Sequence, residues 1–290
     1  MTYPKNSIAV SFIATALLVA ASHASAEVQP VTEAHCQVMQ DANTFDPNGP
    51  VGCDRLRLVS FPFTSHQGLP GRGSVVVLDA FAENVDIIFA KLDARGFPLE
   101  QALGLEHFQG DDAASMAANN TSAFNGRPIT GGASWSLHAY GAAIDLNPVQ
   151  NPFLTINADA TATIDPVASA RAYVNRSAVR AEKPERRGMA EEVLDIFAEN
   201  GFIHWGGYWN APVDYQHFEV APRRFIEHLA RVEPDVARND FNAYRGMYNA
   251  CMAEQQGLDP ARQRASCVGR VLDFYRQWPL PSSSMATAAE

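Results

Sequence analysis

The 290-residue chain is short of basic residues: Lys plus Arg total 22 against 32 Asp plus Glu, a formal net charge of -10. Nucleic-acid binders carry a basic footprint, so this balance excludes that class. Long apolar runs are missing too, since no stretch reaches the roughly 20 residues a membrane-spanning helix needs. With 47% hydrophobic and 19% charged residues the profile is globular. Cysteine is scarce, four residues in all, and no Cys-x-x-Cys pair occurs, which disfavours a structural zinc site built on thiolates. Neither Gly-x-Ser-x-Gly nor, in the mature chain, Ser-x-x-Lys is present, which disfavours a serine hydrolase.

What is present begins with a targeting pattern. Lys5 precedes the apolar stretch Ile8 to Ala21, and Ala24-Ser25-Ala26 offers a small-x-small cleavage site before Glu27. That order predicts a secretory signal peptide over 1–26, with export across the inner membrane to the periplasm and no transmembrane segment in the mature chain. Cysteine usage agrees. Cys36 and Cys53 lie 17 residues apart, Cys251 and Cys267 16 apart, and an even count in an oxidising compartment reads as disulfides. Of the three possible connectivities the two local ones are favoured, each worth about 3 kcal/mol on the chain-entropy model.

Residues 27–57 read as a polar arm rich in turn formers and stapled by the first cysteine pair. Gly68 to Gly73 reads as a loop. From Leu78, the residues Phe81, Val85, Ile88 and Leu92 recur at helical spacing, and Arg95-Gly96 supplies a stop. A second amphipathic helix is predicted from Gly188 to Asn200. Between the two, short runs broken by Gly, Asn and Pro (122–130, 142–147 and 214–220) read as strands. The expected fold is α+β. A small antiparallel sheet carries the site over 58–225, helices flank it, a helical extension covers 226–280, and 281–290 is a frayed tail.

Two clusters carry chemistry. One is Ser136-Leu137-His138-Ala139-Tyr140-Gly141-Ala142-Ala143-Ile144-Asp145; the other is His204-Trp205-Gly206-Gly207-Tyr208-Trp209 followed by Asp214-Tyr215-Gln216-His217-Phe218-Glu219. A hydrolytic zinc needs three His or carboxylate ligands, an open position and a nearby base. Gly141 lets the chain bend so that His138 and Asp145 can reach one point. His217 would come from a neighbouring strand as third ligand, with Asp214 lying beside the reacting water. Taken singly, each residue reads more readily as a hydrogen-bonded core histidine or a turn aspartate than as a catalytic group. His66, His107 and His204 have no partner at ligand spacing and read as structural.

The joint pattern is what stands out. Ser136-x-His138-x-x-Gly141-x-Ala143-x-Asp145 resembles the first metal motif of the zinc D-alanyl-D-alanine carboxypeptidases of the vancomycin-resistance type. It is also similar to that of the related L-alanyl-D-glutamate endopeptidases of phage endolysins. Five fixed letters recur by accident in about one chain in several thousand. Trp205-Gly206-Gly207-x-Trp209 with Asp214-x-x-His217-Phe218-Glu219 resembles the family's second motif and comes in the right order.

The resemblance covers about 58–225 and implies one zinc ion bound by His138, Asp145 and His217, with Asp214 as general base. Some members carry Glu at the base position, so Asp214 matches the endolysin-like branch. Glu219, alternating with His217 on a strand, reads as the group that orients this ligand. The resemblance also implies that Arg127 faces the site, to meet a developing oxyanion or a substrate carboxylate. Ser115, Ser136, Trp205 and Trp209 are expected to contact substrate, or else to serve as turn formers and core packing. Peptidoglycan stem peptides are the expected partners, and cleavage of D-Ala-D-Ala is favoured over cleavage of L-Ala-D-Glu. A non-catalytic, zinc-stabilised wall-binding module is the reading from a different class.

Overall fold

The protein is described by a computed structural model over residues 27–129 and 132–278. Residues 1–26, read above as a signal peptide, and the tail 281–290 lie outside the described residues.

The chain opens with β1 (Glu27–Pro30) and α1 (Glu33–Asp41), the latter capped by Thr32, whose hydroxyl accepts from the amide of His35. A hairpin follows, β2 (Leu56–Thr64) and β3 (Pro70–Leu78), and the three strands form an antiparallel sheet in the order β1-β2-β3. Val59, Phe61 and Phe63 alternate along β2 and bury one face, as a period of two requires. Against that face packs α2 (Ala82–Ala94) through Val85, Ile88, Phe89 and Leu92, with the rings of Phe61 and Phe89 stacked at 3.6 Å.

These elements correct the sequence reading at three points. The helix begins at Ala82, because Leu78 is the last residue of β3 and the chain reaches α2 through a 3₁₀ turn. The predicted loop at 68–73 is mostly strand. Only Ser65 to Leu69 turn, and Gly71 continues β3 because the Phe63 ring covers it where a Cβ would stand 2.5 Å away. The arm at 27–57 supplies β1 and the start of β2, so the expected boundary at 57 falls inside a strand.

Next come β4 (Gln101–Ala102), α3 (Asp112–Ala117) and β5 (Asn120–Thr121), with β4 and β5 paired in parallel. The strand expected over 122–130 is absent among the described residues of that stretch. Only isolated bridges form there, Ser122 to Asp145 of β6 and Pro128 to Trp135; between them the Asn125 amide bonds the carbonyl of His138 and that of Gly126 the carbonyl of Thr44, and Pro128 has no amide to give. Then follow β6 (Ala143–Asp145), β7 (Phe153–Ile156) and β8 (Ala162–Asp165). In place of the helix expected from Gly188, a 3₁₀ turn at Ala190–Glu192 leads into the short α4 (Leu194–Glu199). Two side chains hold the chain at the entry to that turn: Asn151 accepts from the amide of Ala190, and Glu192 from that of Met189.

The last strands are β9 (His204–Trp205), β10 (Val213–Asp214) and β11 (His217–Glu219). They form two further antiparallel sheets, β6-β11-β9 and β10-β7-β8. Helices α5 (Arg223–Arg231), α6 (Pro234–Glu254) and α7 (Pro260–Gln277) complete the α+β architecture. Cysteines pair locally, Cys36 with Cys53 and Cys251 with Cys267, the second pair joining α6 to α7. Arg55 ties the two ends of the chain together. Its guanidinium grips Asp79 at 2.7 and 3.0 Å and donates to the carbonyls of Leu229, Ala230 and Val232 where α5 ends.

Candidate metal centre

Strand pairing sets the centre. In the β6-β11 ladder His217 lies opposite Asp145 and Glu219 opposite Ala143, while β9 places His204 opposite Glu219. Directly opposed residues share a face of the sheet, so Asp145 and His217 meet. His138 arrives on the 3₁₀ turn Leu137–Tyr140, capped by Ser136, whose Oγ accepts from the His138 amide at 3.3 Å. Gly141 closes the turn with φ +63°, and a Cβ there would stand 2.6 Å from the Leu78 amide nitrogen of β3. Only glycine meets both demands.

Three donors converge. His138 Nε2 is 3.1 Å from His217 Nδ1 and 3.3 Å from one Asp145 oxygen, and His217 Nδ1 is 3.1 Å from the other. All three residues are buried, and their donor atoms lie within 4.8 Å of one another. The outer nitrogens are already engaged: His138 Nδ1–H donates to the Ala123 carbonyl at 2.5 Å and His217 Nε2–H to Glu219 at 2.9 Å. Those bonds turn the lone pairs of Nε2 and Nδ1 inward, toward each other and toward a carboxylate. Such an arrangement is repulsive without a positive charge between the donors. Nitrogens and an oxygen bound at 2.0–2.1 Å on a tetrahedron would sit about 3.4 Å apart, close to the spacing found. The donor set therefore fits a divalent cation of the zinc type.

Electrostatics follow the same lines. Burial would raise the Asp145 pKa, but the two imidazoles hold it well below the usual carboxylate range. Burial would lower that of His217, yet hydrogen bonds to Asp145 and Glu219 carry it well above the ordinary value, so a proton on Nδ1 can supply the positive charge between the donors that a metal ion would replace. Glu219, despite its burial, is held down to about 2 by His204 and His217. Asp214 goes the other way: burial, then the charge of Asp145, push it up to about 7. Its Oδ1 is buried without a hydrogen-bond partner, an arrangement a structural carboxylate avoids.

The three donors and Asp214 open on a cavity of about 660 Å³. Arg127 lines it and pairs with Asp112 at 2.7 Å. Ser136 and Trp209 line it as well, the Trp209 ring 5.3 Å from that of His217. Ser115 and Trp205 do not line it and take the packing role that was their alternative. Ser115 Oγ is buried and accepts from Asn120 at 3.0 Å, and Trp205 packs on Phe218 while its indole donates to the Tyr215 carbonyl at 2.7 Å. Their polar atoms are used inside the fold.

His204 corrects the sequence reading most. Its Nδ1–H donates to the second oxygen of Glu219 at 2.6 Å, so Glu219 bridges His204 and His217 at the cavity wall. His66 and His107 neither join the cluster nor line the cavity. Arg223, Leu272 and Arg276 also line it, though nothing in the sequence marked them. Only the register of β9 on β11 and the packing of α5 and α7 bring these groups in.

Residues 130–220, less than half of the chain, match the family model described as D-alanyl-D-alanine carboxypeptidase. The matched segment holds all three donors, Asp214 and Glu219, which supports a metal-dependent peptidase of this kind. It leaves out the β1-β2-β3 sheet, Arg127 and the helices from α5 onward. No curated protein and no solved structure matches the chain.

Proposed function

We propose that the protein is an exported zinc peptidase that hydrolyses peptidoglycan stem peptides, removal of a terminal D-Ala being its main reaction. The observation that carries this reading is the convergence of His138, Asp145 and His217 beside a buried, unpartnered Asp214 oxygen, inside the segment that matches the carboxypeptidase family. Export is supported by the order of features in residues 1–26 and by two disulfides, which persist in oxidising compartments.

When bound, zinc supplies Lewis acidity toward an amide carbonyl and lowers the pKa of a coordinated water to about 7. The protein's own groups do the rest. His138 and His217 present one nitrogen each, fixed in tautomer by Ala123 and Glu219. Asp214 takes a proton from the attacking water at its free oxygen and returns it to the departing amine. Arg127, held by Asp112 at the cavity, stabilises charge developing on the carbonyl oxygen.

A specific feature favours cleavage inside a longer peptide as the second reading. A smaller hollow of about 300 Å³ shares Met116 and Asp165 with the main cavity, so the cleft extends past those residues. Digestion of purified muropeptides, with chelator and then with added zinc, tests both readings. Mass spectrometry is expected to show loss of one terminal D-Ala, abolished by chelator and restored by zinc. A cut between L-Ala and D-Glu would instead establish the second reading, and chelator-insensitive cleavage would overturn both.

A further inference from the structure

The cavity's walls are not all drawn from the segment that matches the family. Arg223, the first residue of α5, and Leu272 and Arg276, on the last turns of α7, line it together with the metal-type donors. Residues four apart on a helix share a face, so Leu272 and Arg276 reach the cavity side by side. Leu272 is buried and presents apolar surface. The Arg276 side chain is 59% exposed and rests on Asp273 at 2.8 Å, an exposed i,i+3 pair of the kind readily exchanged for a better partner. Arg223 uses one guanidinium nitrogen on the Trp135 carbonyl at 2.8 Å and also meets the Tyr140 hydroxyl, which leaves it a supporting place beside Arg276.

This wall is firmly seated. The Tyr275 ring packs on Phe225 at 4.5 Å and on Tyr244 at 5.0 Å, Arg224 donates to the Arg276 carbonyl, and Cys251–Cys267 ties α7 to α6. The cavity's outer acids, Asp112 and Asp165, come from other elements, α3 and β8. One stretch of wall is therefore cationic with an apolar neighbour, which is the chemistry of a carboxylate on a small apolar residue. A guanidinium fork matches a carboxylate bidentately.

We propose that the end of α7 and the start of α5 form a carboxylate subsite. Arg276, assisted by Arg223, takes the free C-terminal carboxylate of the peptide, and Leu272 packs on the small side chain of that terminal residue. The proposal rests on the peptidase reading above and, within it, selects removal of a terminal residue over internal cleavage. It also makes the C-terminal helices part of the site.

The test compares N-acetyl-L-Ala-D-Ala-D-Ala with its C-terminal amide on the full zinc-loaded chain. Binding is measured by calorimetry in a D214N background, and hydrolysis by mass spectrometry with Asp214 intact. The free acid is expected to bind at least about tenfold tighter than the amide. R276Q is expected to erase most of that preference in both binding and kcat/KM, and R276K to keep part of it. Equal handling of acid and amide, or a preference that survives R276Q, overturns the subsite while hydrolysis of both peptides leaves the peptidase reading standing. Hydrolysis of neither peptide, with or without zinc, overturns removal of a terminal D-Ala and the substrate assigned to the subsite with it.

Discussion

The β1-β2-β3 sheet and the β6-β11-β9 sheet are built to opposite rules. The first buries Val59, Phe61, Val75 and Val77, which share a face, against α2. The second buries Asp145, His217 and Glu219 on two of its three short strands, with His138 beside them. Apolar burial stabilises a sheet directly, whereas buried charges stabilise it only if paired. The first sheet is complete as it stands. The second keeps inward lone pairs and an unpartnered Asp214 oxygen, and so has polar capacity that a cation, water and substrate would satisfy. The first sheet is scaffold and the second is site.

That contrast can be broken from either side. The largest effect is expected from replacing a donor: His138→Ala, Asp145→Ala or His217→Ala should abolish hydrolysis and remove bound zinc, read by metal analysis of folded protein. A full equivalent of metal in all three variants would count against the cluster. Asp214→Ala should keep zinc and lower kcat by about 10²- to 10⁴-fold, and loss of metal would instead make Asp214 a ligand. On the scaffold side, Phe61→Ala should cost about 3–5 kcal/mol in denaturant unfolding, while any protein that remains folded binds zinc normally. Glu219→Gln should weaken zinc affinity about 10- to 100-fold in a competition titration. The smallest effect is expected from His204→Ala, which acts only through Glu219; a loss as large as that of Glu219→Gln would give His204 a role of its own.

The two sheets also differed in how far they could be read from sequence. The donors His138, Asp145 and His217 were legible because their motif spacing survives folding: a 3₁₀ turn, a glycine and two short strands deliver them in a fixed order. The scaffold sheet was not. Its period-two signal in Leu56–Thr64 is interrupted by Pro62, and the glycines of β3 imitate a loop. His204 reads as structural from sequence because its partner is 15 residues away and lies opposite it only by register. Arg276 was out of reach for a similar reason, since its place at the cavity depends on how α7 packs on α5 and not on any local pattern. Signals carried along the chain were readable, and those created by tertiary packing were not.

The contact between Gly141 and β3 has one more consequence. The turn that carries His138 rests against the backbone of Val77 and Leu78, with the Leu78 amide bonded to the Gly141 carbonyl at 3.3 Å. A designer who wished to transplant this motif into another protein would need to bring that strand along. Without a bare peptide edge pressed to the glycine, the imidazole would lose the surface that sets its height above the sheet.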